Sequence, residues 1–108
     1  MGTRSDIAVL LMEGSRTAEI VLTGRVDRRA DAMLAEALEL LLTDPQVGRI
    51  EIDTALVNFC DRGGLTVFIR AQRQAAHYGV PLYIVRAAPL LQHVLQSTGL
   101  STMLTSAA

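Results

Sequence analysis

The chain changes its hydrophobic period repeatedly, from strand-like runs to helical stripes and back, which limits it to folds that alternate strands with helices. Ala30, Met33, Leu34, Ala37, Leu38 and Leu41 recur at the spacing of one face of an amphipathic helix. Asp27 precedes this stripe as an N-cap, and Asp31 lies near the positive end of the helix dipole. Thr43-Asp44-Pro45 stops the helix, because Pro45 disfavours helical geometry at Asp44. A second stripe, Gly64, Val67, Phe68, Ala71 and Ala75, predicts a helix from about Arg62 to Tyr78, broken by Gly79-Val80-Pro81. A third helix begins at Pro89, in its favoured first-turn position, and ends at Gly99, with Leu100 supplying the closing contact. Leu91, Val94 and Leu95 form its inward face.

Between these helices lie the strands. Ile7 to Met12 is an apolar run ended by the turn Glu13-Gly14-Ser15-Arg16. Thr17 to Thr23 alternates, with Ala18, Ile20 and Leu22 on one face, Glu19, Val21 and Thr23 on the other, and Gly24 closing it. Arg49 to Val57 reads as a strand with Ile50, Ile52, Thr54 and Leu56 on one side, joined to the second helix by Asn58-Phe59-Cys60-Asp61. Leu82 to Val85 is a continuous apolar strand of the kind found inside a sheet, and Ser101 to Ala108 is a tail. The order is β-β-α-β-α-β-α. Two right-handed crossovers make the later strands parallel, and the opening hairpin adds an antiparallel edge. The expected fold is α/β, a mixed sheet of four to five strands with covering helices, and the 108 residues form a single domain, 1–108.

Composition removes several function classes. No apolar run approaches the ~18–20 residues of a membrane span, and Met1 to Asp6 carries no signal-peptide pattern, so a cytoplasmic location is expected. A net charge of −1, with aromatics at 4% and no Trp, speaks against a nucleic-acid partner. All ten basic residues are Arg, scattered through the chain. The single Cys60 forms no internal disulfide, and with His77 and His93 on separate helices no metal set or nucleophile–base pair assembles. No cofactor motif is present, and enzymatic activity is not expected.

Three segments carry a resemblance. Leu22-Thr23-Gly24-Arg25-Val26-Asp27 ends a strand, Phe59-Cys60-Asp61-Arg62-Gly63-Gly64-Leu65 joins a strand to a helix, and Val94-Leu95-Gln96-Ser97-Thr98-Gly99-Leu100 closes the last helix. In order and spacing they resemble the three motifs of the STAS domain family (sulfate transporter and anti-sigma factor antagonist), and the resemblance spans essentially the whole chain. It implies a relative of the bacterial anti-sigma factor antagonists, which bind a kinase-type anti-sigma factor and release a sigma factor. In regulated members the kinase phosphorylates the first Ser of an Asp-Ser-Ser-Gly motif. The matching position here is Arg62, and the second Ser is Gly63. A guanidinium brings a fixed positive charge and no hydroxyl, so this position is not phosphorylatable and suits an acidic partner surface.

The expected partner-binding residues are Asp61, Arg62, Gly63, Leu65, Thr66, Ile69 and Arg73, with Asp27 beside them. Arg62, Leu65, Ile69 and Arg73 follow i, i+3, i+7 and i+11, two aliphatic side chains between two arginines; by spacing alone, Leu65 and Ile69 serve equally well as core. Asp61 caps the second helix, and the resemblance, which sets the matching acid near the phosphoacceptor, implies that Asp27 pairs with Arg62. Gly63-Gly64 at a helix start could cradle an anion, although no P-loop spacing follows and Asp61 competes for the same N–H groups; Gly64 otherwise permits close helix–sheet packing. Thr66 is the nearest hydroxyl to the missing acceptor, and Cys60 is expected to be a buried, inert thiol. The leading expectation is a regulatory protein-binding module for an anti-sigma factor or related partner. The alternatives are a cytosolic accessory subunit of a membrane transporter complex and a nucleotide-binding sensor.

Overall fold

A computed structural model of the chain describes residues 6–11 and 15–100. Its elements are β1 (Asp6–Leu11), β2 (Thr17–Val26), a 3-10 turn (Arg28–Ala30), α1 (Asp31–Leu42), β3 (Arg49–Cys60), α2 (Arg62–His77), β4 (Leu82–Val85) and α3 (Pro89–Ser97). The expected order holds, and the sheet has four strands in the order β1-β2-β3-β4, antiparallel between β1 and β2 and parallel across the rest. Met12, Glu13, Gly14 and the tail 101–108 lie outside the described residues.

The core occupies the helix-covered face. Ala18, Ile20 and Leu22 from β2, Ile50 and Ile52 from β3, and Leu82 and Ile84 from β4 are buried together with Leu34 and Leu38 of α1, Phe68 and Ala75 of α2, and Leu91 and Leu95 of α3. Each fully buried aliphatic or aromatic side chain contributes roughly 1.5–3 kcal/mol of transfer free energy. This one cluster therefore ties all three helices to the sheet. At the end of α3, Gly99 takes a left-handed φ of 77°, and the Leu100 N–H donates to the Leu95 carbonyl at 2.8 Å, the closing motif expected from Gly99-Leu100.

Four expectations about boundaries and faces are corrected. Gly24 does not close β2. It lies within the strand at φ 84°, beside irregularities in the β2–β3 register, and the strand continues to Val26. Val21 pairs with Asp53 but Thr23 pairs with Leu56, so β3 carries an extra residue there, and Leu56 turns away from the core to 63% exposure while Val57 is buried. β3 also runs on through Asn58-Phe59 to Cys60, across a second register shift between Gly24 and Arg25. Asp27 caps the short 3-10 turn, its Oδ1 accepting from the Arg29 N–H at 2.9 Å, and α1 starts only at Asp31.

The opposite face of the sheet is polar at its centre. Paired residues share a face, which sets Glu19, Glu51 and Tyr83 in one row and Val21, Asp53 and Val85 in the next. Arg86, directly after β4, adopts φ 52°, and its guanidinium donates to both Glu19 and Asp53, tying β2, β3 and the end of β4 together. Left-handed backbone in a residue with a Cβ costs roughly 1–2 kcal/mol, which these two charged bonds offset. Arg49 Nε donates to Glu51 at 3.0 Å, and its guanidinium lies 4.3 Å from the Tyr83 ring centre.

Candidate partner-binding site

The site forms where β2 and β3 end and α2 begins. Asp61 has extended backbone, and its Oδ1 accepts from the Gly64 N–H at 2.9 Å, satisfying a donor that the helix itself leaves open. The amide that might have cradled an anion is thus engaged by Asp61. Gly64 follows because nothing larger fits. A Cβ there would stand 2.1 Å from the Val26 carbonyl oxygen and 2.9 Å from Cys60 Sγ, so the start of α2 lies directly on β2. A Cβ on Gly63 would come within 3.1 Å of the Arg28 backbone nitrogen, which brings the Arg28–Ala30 turn against the same helix start.

This close approach sorts the motif side chains. Leu65 is only 7% exposed and belongs to the core cluster with Val67 and Phe68. Its expected place on a partner-facing strip is therefore corrected: packing of α2 against the sheet turns it inward. Ile69 is half-buried. Arg62, Thr66 and Arg73 are exposed, so the outward strip is Arg62, Thr66, Arg73 with Ile69 at its margin. The Thr66 hydroxyl donates to the Arg62 carbonyl at 3.1 Å. Beside it a small cleft is lined by Arg28, Asp31, Gly63, Thr66, Val67 and Arg70.

The local charge is weighted towards arginine. Asp27 does not pair with Arg62. It binds Arg29, through the Arg29 N–H and a guanidinium contact at 2.9 Å, because a residue two positions away in the same turn reaches it without crossing to α2. These bonds hold the Asp27 carboxyl below its ordinary value. Arg70 donates to Asp31 at 2.9 Å. Arg25 stacks over Phe59 at 3.9 Å from the ring centre. Arg28, Arg62 and Arg73 are exposed, and their guanidinium groups make no ion pair or hydrogen bond among the described residues. Three uncompensated cations on one end and flank of α2 give this region a positive field that complements acidic surfaces.

Cys60 is half-buried, and its thiol donates weakly to the Asp61 carbonyl at 3.6 Å. Burial, with the Asp61 charge adding to it, pushes the thiol up to about 11, opposite to the activation that a nearby guanidinium would give. His77 and His93 are exposed. Among the described residues no group of His, Cys, Asp or Glu is arranged to hold a metal ion, and no helix is long and apolar enough to cross a membrane. The Glu19–Arg86–Asp53 clasp escaped the sequence reading. The alternation that turned Glu19 outward was its only trace, since the partners are far apart along the chain.

Solved structures share this architecture. The anti-sigma factor antagonist SpoIIAA in its unphosphorylated form superposes with a TM-score of 0.76 at 17% identity, covering 95% of this chain and 89% of that one. An RsbS variant from Moorella thermoacetica gives 0.74 at 19% identity, over 93% and 85%. A sulfate transporter family protein from Wolinella succinogenes gives 0.71 at 14% identity, over 83% and 72%. Among curated proteins no sequence match is found. The family profile described as "Mlab, STAS domain" matches residues 10–105. With that match spanning nearly the whole sequence, over the fold just described, the chain belongs to the STAS domain family.

Proposed function

We propose that the chain is a regulatory binding module, not an enzyme, that docks an acidic surface of an anti-sigma factor or related protein through Asp61, Arg62, Gly63, Thr66, Ile69 and Arg73, with Asp27 and Arg28 beside them. Docking is not controlled by serine phosphorylation at the head of α2. One observation carries the reading: Arg62, the first residue of α2, is exposed, and its guanidinium has no partner among the described residues, on a helix start whose Gly64 amide is capped by Asp61. Phosphorylation at such a place would add a charge of about −1.5 to −2 to the contact patch. A guanidinium holds the charge positive at every physiological pH and offers a planar fork to carboxylates. Binding is therefore constitutive with respect to this position.

A second reading is favoured by the likeness to the sulfate transporter family protein. On it the same surface serves an accessory subunit that docks on a transporter component in the cytoplasm. Affinity capture followed by calorimetric titration of the purified partner separates the two. The first reading predicts an ATP-binding regulator whose complex ATP does not dissociate, and the second a transport protein. Both predict that Arg62→Glu weakens the complex at least about tenfold. Unchanged affinity for Arg62→Glu and Arg73→Glu together would remove this surface from either role.

A further inference from the structure

The two margins of the sheet are protected differently. β4 spans four residues, follows Pro81 and runs into Arg86, whose guanidinium is bound to Glu19 and Asp53. A short edge flanked by proline and a charge resists strand addition. β1 spans six residues and pairs with β2 alone among the described strands. From Ile7 to Leu10 it contains no charge, proline or glycine. In an antiparallel ladder alternate residues turn their N–H and C=O groups towards one neighbour and the rest turn them away, so among the described residues β1 offers a row of backbone donors and acceptors along the sheet margin. Apolar side chains flank that row on both faces. Val9, opposite Ile20, is 42% exposed on the helix-covered side, and Leu10, opposite Glu19, is 53% exposed on the polar side.

We propose that this margin is an interface between two copies of the chain, β1 joining the β1 of a second molecule antiparallel about a two-fold axis to form one continuous sheet. The free backbone groups require an extended strand as occupant, and the charge pattern selects a second copy. Directly opposed residues must share a face, which restricts the two-fold to registers centred on one residue. Centred on Val9, the pairing sets Val9 against Val9 on one face and Ala8 against Leu10 on the other, apolar against apolar, with Ile7 and Leu11 opposed in register. Asp6, the one charged residue of the strand, then falls at the two outer ends, so no like charges meet. A strongly charged partner strand would find no complement along Ile7–Leu10. Two strands of this length bury less than the ~1,200–2,000 Å² of standard stable complexes, so the dimer is weak and forms with rising concentration.

Sedimentation equilibrium of the purified chain from about 10 μM to 1 mM tests this. The average mass is expected to climb from 11.7 kDa towards twice that value. Val9→Lys, which brings like charges together at the axis, should weaken association at least about tenfold while leaving the thermal midpoint within a few degrees. Val9→Cys in a Cys60→Ala background should oxidise to a covalent dimer faster than Leu40→Cys, whose parent side chain is 72% exposed on α1. A mass that stays at 11.7 kDa throughout, Val9→Lys associating as strongly as the parent, or equal cross-linking at the two cysteines would each overturn the proposal.

Discussion

The two flanks of the first turns of α2 are built from neighbouring residues of one motif and obey different rules. On the buried flank, the Gly64 amide takes the Asp61 cap, Gly64 lies against the Val26 carbonyl, and Leu65 and Phe68 fill the core. On the exposed flank, the Arg62 and Arg73 guanidinium groups have no partner among the described residues, and the Thr66 hydroxyl bonds to its own helix. The buried flank fixes where the helix starts and how closely it lies on β2. The exposed flank sets only what another protein meets. A residue can therefore change on the second flank, even from an alcohol to a guanidinium, without disturbing the first.

Substitutions can break this contrast, and the largest effect is expected at Leu65. Leu65→Ala removes a core side chain and should cost about 2–5 kcal/mol. Its midpoint in thermal unfolding should fall by roughly 10–20 °C, and a change of only a degree or two would return Leu65 to the surface strip. Gly64→Ala comes next. The added methyl meets backbone rather than a side chain that could swing aside, so the gain in helix propensity is outweighed, with a net loss of about 2 kcal/mol by denaturant titration. A stabilised Gly64→Ala would mean that α2 does not press on β2. Asp61→Ala should lose the cap alone, about 1 kcal/mol, and Asp61→Asn should recover most of it. Arg62→Glu is expected to alter stability by no more than about 0.5 kcal/mol, since the guanidinium has no partner among the described residues. A larger loss would show that the guanidinium helps to hold the fold.

Much of this architecture was legible in the residue pattern. The order of elements follows from the changes of period, and the third helix was bounded at both ends by Pro89 and Gly99 because each residue has a backbone reason for its place. The pattern failed at β3, where an extra residue near Thr54-Ala55 inverts the alternation and sends Leu56 outward. A bulge leaves no periodic signature. Leu65 was ambiguous because its helical angle lies at the margin of the stripe, and only the closeness of α2 to β2 decides its side. The partner of Asp27 was misread for a related reason: proximity within a turn favoured Arg29 over a residue on another element. The Arg86 clasp depends on strands brought together by the topology, so nothing local announces it.

On the proposed reading, the arginine-bearing flank of α2 docks another protein whether or not a kinase is active. A photo-crosslinking residue placed at Arg73 in growing cells, with another at the exposed His93 on α3 as control, tests this most directly. The expected result is one discrete protein adduct from position 73, absent from position 93, lost when Arg62→Glu is added and unchanged in yield when purified complex is incubated with ATP. An adduct that forms equally from both positions, survives Arg62→Glu, or disappears with ATP would contradict it.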